Sequence, residues 1–184
     1  MRFDILTIFP GMISCYLKEG VLGRASAGGL VEIRVVNIRD FADGVHRSTD
    51  DRPYGGGAGM VMRPEPIFRA LQSVARVPGK SGVVLLSPGG EPFDQATAWE
   101  FSRWDQLILI CGRYEGVDER IRLQCVEREI SIGDFVLSGG ELAALVVTDA
   151  VSRLIPGVLG DDASALEDCF QNGLLKYPQY PMPA

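Results

Sequence analysis

Five segments of the chain, 3–9, 31–38, 82–86, 106–111 and, more weakly, 129–132, are strand-like, and 82–86 and 106–111 are apolar almost throughout. A strand that faces water on one side carries polar residues at every second position, whereas an unbroken apolar run suits a strand covered on both faces. Segments with helical spacing lie between these runs. The clearest is 64–76, where Ile67, Phe68, Leu71, Val74 and Ala75 share one face and Pro64 and Pro66 fit the first turn. Asp94 is placed to cap a helix carrying Trp99 and Phe101, and Asp118 one carrying Ile121 and Leu123. Residues 141–155, ELAALVVTDAVSRLI, are apolar on nearly every side, which predicts a helix that is buried or packs on a second subunit. Strand and helix in alternation predict an α/β fold with a parallel sheet flanked by helices.

A length of 184 residues fits one domain with a short tail. No stretch approaches the ~18 apolar residues of a membrane span, so no membrane partner is expected. The N-terminus, MRFDILTIFPG, places Asp4 inside its apolar run and offers no small-residue cleavage site, and the expected compartment is the cytoplasm. Cys15, Cys111, Cys125 and Cys169 form no C-x-x-C pair and His46 is the sole histidine, which argues against a zinc site or a disulfide framework. All four cysteines read as packing thiols. A net charge of −6 weighs mildly against nucleic acid. Yet of the 18 basic residues only Lys18, Lys80 and Lys176 are lysines. Arginine's planar fork suits phosphates and guanine edges, although a GC-rich genome gives the same bias.

The familiar nucleotide loops fit poorly. PGKSG (78–82) has Val74 where a phosphate-binding loop needs its first glycine, and reads better as a turn into the next strand. The run Gly55-Gly56-Gly57-Ala58-Gly59 follows STDDRPY rather than a hydrophobic strand, so it lacks the strand, turn and helix of a dinucleotide site. There is no G-x-S-x-G elbow. The irregular segment 42–63 is too long for a simple connector, which points to a functional or mobile loop. Three other loops each follow an apolar strand: LLSPGG (85–90), CGRYEG (111–116) and SIGDFVLSGGE (131–141). Ligands of parallel α/β sheets bind beyond the carboxyl ends of the strands. Glycine allows close backbone approach to a flat ligand, and Leu86, Ile132 and Leu137 can sandwich an adenine. A single glycine here would merely serve a turn; three such loops favour one shared ligand.

The segments TDDRPYGGGAGM (49–60), LLSPGG, LILICGRYEGVDERI (107–121), SIGDFVLSGGELAALVVTDAVSRLIPGVLG (131–160) and SALEDCF (164–170) resemble the bacterial tRNA (guanine-N1)-methyltransferases. That family belongs to the SPOUT class of knotted methyltransferases, and the resemblance runs from the first strand to about Tyr180. It implies a parallel α/β fold with a deep trefoil knot over roughly 83–140, which no periodicity reveals because knots are rare. It also implies a homodimer whose active site is shared between subunits, with S-adenosylmethionine cradled in a bent shape by the three loops. The matching positions are Leu86, Ser87, Pro88 and Gly90, then Gly112, Tyr114, Glu115 and Gly116. They continue with Ile132, Gly133, Asp134, Phe135, Val136 and Leu137, and end at Gly139 and Gly140.

The implied reaction methylates N1 of the guanine 3′-adjacent to the anticodon of a tRNA. A base must take the N1 proton, and charge developing toward O6 needs a cation or donor. By resemblance these roles fall to Asp168 and Arg153. Taken alone, Asp168 reads equally as a helix cap before CFQNGLL, and Arg153 as an i,i+4 partner of Asp149. Asp50, Asp51, Arg52, Tyr54 and Gly59 match the family's loop near the target base. Glu115 and Asp118 lie where they can contact the guanine or the magnesium ion that activity in the family requires; nothing in the sequence locates that metal. His46 beside Arg47 reads as a phosphate contact or a solvated loop residue. Residues 1–160 are expected to form the catalytic domain and 161–184 the start of an interdomain linker. The family continues into a helical tRNA-gripping domain, and usually carries Thr-Arg where this chain has Pro181-Met182. Two other readings stay open: a SPOUT relative acting on another RNA, and a donor- or RNA-binding domain without efficient turnover.

Overall fold

The computed structural model describes residues 1–160, 169–170 and 174–182. Its centre is a five-stranded parallel sheet made of β1 (Arg2–Thr7), β2 (Glu32–Asn37), β5 (Ser81–Pro92), β6 (Gln106–Cys111) and β7 (Arg128–Ser131), in the order β2-β1-β6-β5-β7. β3 (Asp50–Asp51) and β4 (Val61–Met62) form a separate antiparallel pair inside the long loop. The helices are α1 (Pro10–Tyr16), α2 (Gly20–Ala27), α3 (Pro64–Ser73), α4 (Gln95–Ser102), α5 (Glu119–Cys125) and α6 (Glu141–Ser152).

Every residue of β1 and β6 is buried, as strands covered on both faces require. Successive side chains point to opposite faces of the sheet. Phe3, Ile5, Val84, Leu86, Leu107, Leu109 and Cys111 therefore pack on one face, against Ala98 and Phe101 of α4 and Ala144, Val147 and Val151 of α6. Leu6, Val83, Leu85, Ile108 and Ile110 pack on the other, against Ile67 and Ala70 of α3 and Ile121 of α5. Each such large aliphatic side chain contributes about 1.5–3 kcal/mol relative to exposure.

The charge inside the first strand is accommodated rather than exposed. Asp4 is 1% exposed, and its Oδ2 accepts from Arg2 Nε at 2.7 Å and from Gln106 Nε2 at 2.7 Å. Asp94 and Asp118 cap α4 and α5, accepting from the amides of Thr97 and Arg120. Several boundaries differ from the sequence expectations. β1 ends at Thr7 because Pro10 opens α1, and the strand expected over 82–86 extends to Pro92. The helix expected over 64–76 stops at Ser73 and that over 141–155 at Ser152. Of the four thiols, Cys111 is fully buried, and burial first, then the Glu141 carboxylate, push its pKa up. Cys125 and Cys169 are half-buried, but Cys15 is exposed and is not a packing thiol. No helix among the described residues is long and apolar enough to cross a membrane.

Candidate functional site

The three glycine-bearing loops, one within β5 toward its carboxyl end and two following β6 and β7, wall a single cavity of about 400 Å³. The first loop is an interruption inside β5. Leu86 and Glu91 both pair with Ile130, so residues 87–90 are extruded from the sheet. Leu86, Ser87 and Pro88 line the cavity. Gly90 does not; it is pressed onto β7, where a Cβ would stand 2.5 Å from the Ile130 nitrogen.

The second loop turns through Tyr114 at φ 61° and Gly116 at φ 124°, closed by the Gly116 amide donating to the Arg113 carbonyl at 3.1 Å. A non-glycine residue in the left-handed region carries strain that its surroundings must hold. Gly112, Tyr114, Glu115 and Gly116 all line the cavity. The third loop begins at Gly133, φ 147°, whose amide donates to Ser131 Oγ. Ile132, Gly133, Phe135, Val136, Leu137, Gly139 and Gly140 reach the wall, whereas Asp134 is exposed and off it. The second and third loops are stitched together by backbone: Gly140 N–H donates to the Gly112 carbonyl at 2.9 Å, and Arg113 bridges Gly139. Only glycine fits at 140, since a Cβ would lie 2.8 Å from Cys111 Cα.

The long loop docks on the same rim. Glu115 N–H donates to the Met60 carbonyl at 2.9 Å, Met62 N–H to the Gly116 carbonyl at 2.9 Å, and Asp118 N–H to the Met62 carbonyl at 3.0 Å. Gly59, at φ 82°, lies directly beneath the Glu115 side chain, 2.5 Å from its Cγ to a built Cβ. Asp50 sits in β3, half-buried, while Arg52 and Tyr54 project into solvent. Tyr54 and Arg52 thus stand on the same loop as Gly59 but away from the cavity wall. His46 is exposed, and Arg47 pairs with Asp40 at 2.9 Å. Asp118 is engaged by Arg120, whose guanidinium holds the carboxyl below its ordinary value.

Arg153 caps the carboxyl end of α6 and lines a second cavity of about 300 Å³ with Gln95, Asp149, Cys169 and Phe170. Its amide donates to the Asp149 carbonyl at 3.1 Å. Asp168 lies outside the described residues. Among the described residues no group of three or more His, Cys, Asp or Glu side chains is placed to hold a metal ion. The sequence reading missed Glu119, Arg122 and Glu129, which complete one wall of the larger cavity from α5 and β7. Glu119 belongs to the LILICGRYEGVDERI segment without a role of its own, and no motif marks Arg122 or Glu129, which are ordinary surface charges until α5 folds over the loops. Arg113, also on the wall, belongs to the CGRYEG segment, but its residue type there points to no role in the sequence alone.

The family model described as tRNA (Guanine-1)-methyltransferase TrmD matches residues 1–184. A tRNA (guanine-N(1)-)-methyltransferase of Geobacter sp. (strain M21) is 57% identical over 183 residues, covering 100% of this chain and 74% of its own length. One from Desulfitobacterium hafniense (strain Y51) is 55% identical, covering 100% of this chain and 69% of its own. The crystal structure of a tRNA (m1G37) methyltransferase from Aquifex aeolicus superimposes with a TM-score of 0.83 at 44% identity, over 100% of this chain and 76% of that one. On the strength of a match over its whole length, the chain belongs to the tRNA (guanine-1)-methyltransferase TrmD family.

Proposed function

We propose that this chain transfers a methyl group from S-adenosylmethionine to N1 of the guanine 3′-adjacent to the anticodon of a tRNA. The observation that carries the reading is the convergence of the three loops on one cavity. Its size and its mixture of apolar side chains with backbone N–H and C=O groups suit a nucleoside-like ligand. When bound there, the donor supplies an electrophilic methyl group. Leu86, Ile132 and Leu137 are the apolar walls for its adenine, and the glycines at 112, 133, 139 and 140 let the main chain approach it.

Asp168 takes the N1 proton as the methyl arrives, and Arg153 offsets the charge that develops toward O6. One observation supports this pairing, and a second supports a site shared between chains. Cys169, the chain neighbour of Asp168, borders the cavity that Arg153 lines. That cavity lies at the other end of α6 from Ala143, which lines the donor cavity. Ten residues of helix, roughly 15 Å, separate the two in one chain. The base and cation of one chain therefore serve the donor of a second, in a homodimer. Leu142 and Val146, 52% and 45% exposed on a mostly buried helix, supply an apolar stripe for that contact.

Asp50, Arg52, Tyr54 and Gly59 approach the tRNA from the loop docked on Glu115. A magnesium ion would find only scattered carboxylates among the described residues, Glu115 foremost, and would keep water or phosphate ligands. The reading carries with it the trefoil knot over roughly 83–140, residues 1–160 as catalytic domain and 161–184 as linker, and a cytoplasmic location.

Radiolabelled methyl transfer to an unmodified tRNA transcript tests the proposal. Asp168→Asn should slow transfer by about 10²–10⁴-fold, and adenine in place of the target guanine should abolish it. Equal rates for Asp168→Asn and the parent would remove the proposed base. Methylation of the adenine transcript would favour a relative acting on another RNA.

A further inference from the structure

We propose that Glu141 is a positioning residue for the donor cavity, its buried carboxylate clamping Arg113 and so fixing loop 111–116 against loop 131–140. The inference rests on the reading of that cavity as the methyl-donor site. Glu141 is the first residue of α6 and is 1% exposed, so its carboxylate must be fully partnered. Its Oε2 accepts from Arg113 Nε at 3.0 Å, and its Oε1 from Thr7 Oγ at 2.7 Å. Thr7 Oγ in turn accepts from the Phe9 amide at 2.9 Å. The Arg113 guanidinium lies 4.5 Å from the Phe9 ring centroid and donates to Met12 Sδ at 3.3 Å. The end of β1, the start of α1 and the loop after β6 thus meet on one carboxylate at the start of α6.

Those contacts act on the two loops that the backbone already joins. Arg113 bridges Gly139, and Gly140 donates to Gly112. The joint is tight: a Cβ at 139 would stand 2.5 Å from Arg113 Cδ and 2.6 Å from Glu141 Oε2. Arg113 is followed by Tyr114, whose left-handed backbone needs a neighbour that cannot drift. Glu141 itself is absent from the cavity wall, whereas Arg113 is on it. The carboxylate therefore acts through the arginine. A buried ion pair is weak evidence for stability, since apolar replacements often hold a fold equally well. Geometry is what this pair supplies.

The test is calorimetric titration of the full chain with S-adenosylhomocysteine, alongside the thermal midpoint of each unliganded variant. Glu141→Gln and Arg113→Gln should each weaken binding by about tenfold or more. The double variant should be no worse than either single one, because both remove the same clamp. Thr7→Val, which keeps side-chain shape and removes the other contact to the carboxylate, should weaken binding to a smaller degree; it decides the matter if Glu141→Gln does not fold. Affinity unchanged in Glu141→Gln or Thr7→Val, with only the thermal midpoint lowered, would reduce the pair to a packing feature and overturn the proposal. So would strictly additive losses. Failure of the parent chain to bind S-adenosylhomocysteine would instead sink the donor-site reading, and this inference with it.

Discussion

Asp94 accepts a hydrogen bond from the Thr97 amide at 2.8 Å, and that bond holds its carboxyl below the ordinary aspartate value. A depressed folded-state pKa adds stability above the unfolded value, near 3.9, and loses it as pH falls through the folded value. Asp94→Ala should therefore lower the unfolding free energy by about 1 kcal/mol in urea at neutral pH. The difference between the two chains should shrink once the pH drops below about 4. Two adjacent glycines make a sharper contrast. A Cβ at Gly90 would meet the backbone of Glu129 and Ile130 at 2.5 Å, and backbone cannot swing aside. The nearest atom to a Cβ at Gly89 is Ser87 Oγ at 3.7 Å. Gly90→Ala should cost about 1–3 kcal/mol by overpacking, while Gly89→Ala should leave the urea midpoint nearly unchanged. The sequence presents the two as equals, because which glycine faces β7 is set by the register jump between Leu86 and Glu91.

Helix α6 answers to two descriptions at once. Ala144, Val147 and Val151 are buried in the core, and Leu142 and Val146 stand on the opposite side, exposed in the single chain. Because those two side chains contribute little to the isolated fold, Leu142→Asp with Val146→Asp should leave the thermal midpoint of a monomer nearly intact. Sedimentation should show the parent as a dimer and the variant shifted toward monomer; identical profiles would remove the α6 contact from the proposal. The strands β1, β2, β5, β6 and β7 and the helices α3 to α6 were legible because runs rich in apolar residues, or one apolar stripe, write themselves into sequence. The 7-residue α1 and 8-residue α2 were not, since glycine and serine break up any stripe they carry. Nor was the β3–β4 pair, two residues each, whose pairing depends on the loop docking against 115–118. The partner of Asp4 is equally invisible: Gln106 lies 102 positions away and meets it only because β1 and β6 adjoin.

In the assembled chain, the candidate site was readable to the extent that a parallel sheet collects its ligand loops at one edge. The loops 85–90, 111–116 and 131–141 needed no structure to be grouped. The wall formed by Glu119, Arg122 and Glu129 did, as did the clamp on Glu141, because both depend on side chains brought together from distant elements. The distance along α6 between the two cavities has a kinetic consequence. If the halves of one reaction centre belong to different chains, a solitary chain can hold its adenosyl ligand yet has no partner to complete the chemistry. On dilution through the association constant, turnover per chain should collapse while occupancy of the ligand cavity persists. Stopped assays over a wide range of protein concentration, read beside equilibrium dialysis of S-adenosylhomocysteine, would display the two curves parting. Curves that stayed parallel would mean that each chain is complete by itself.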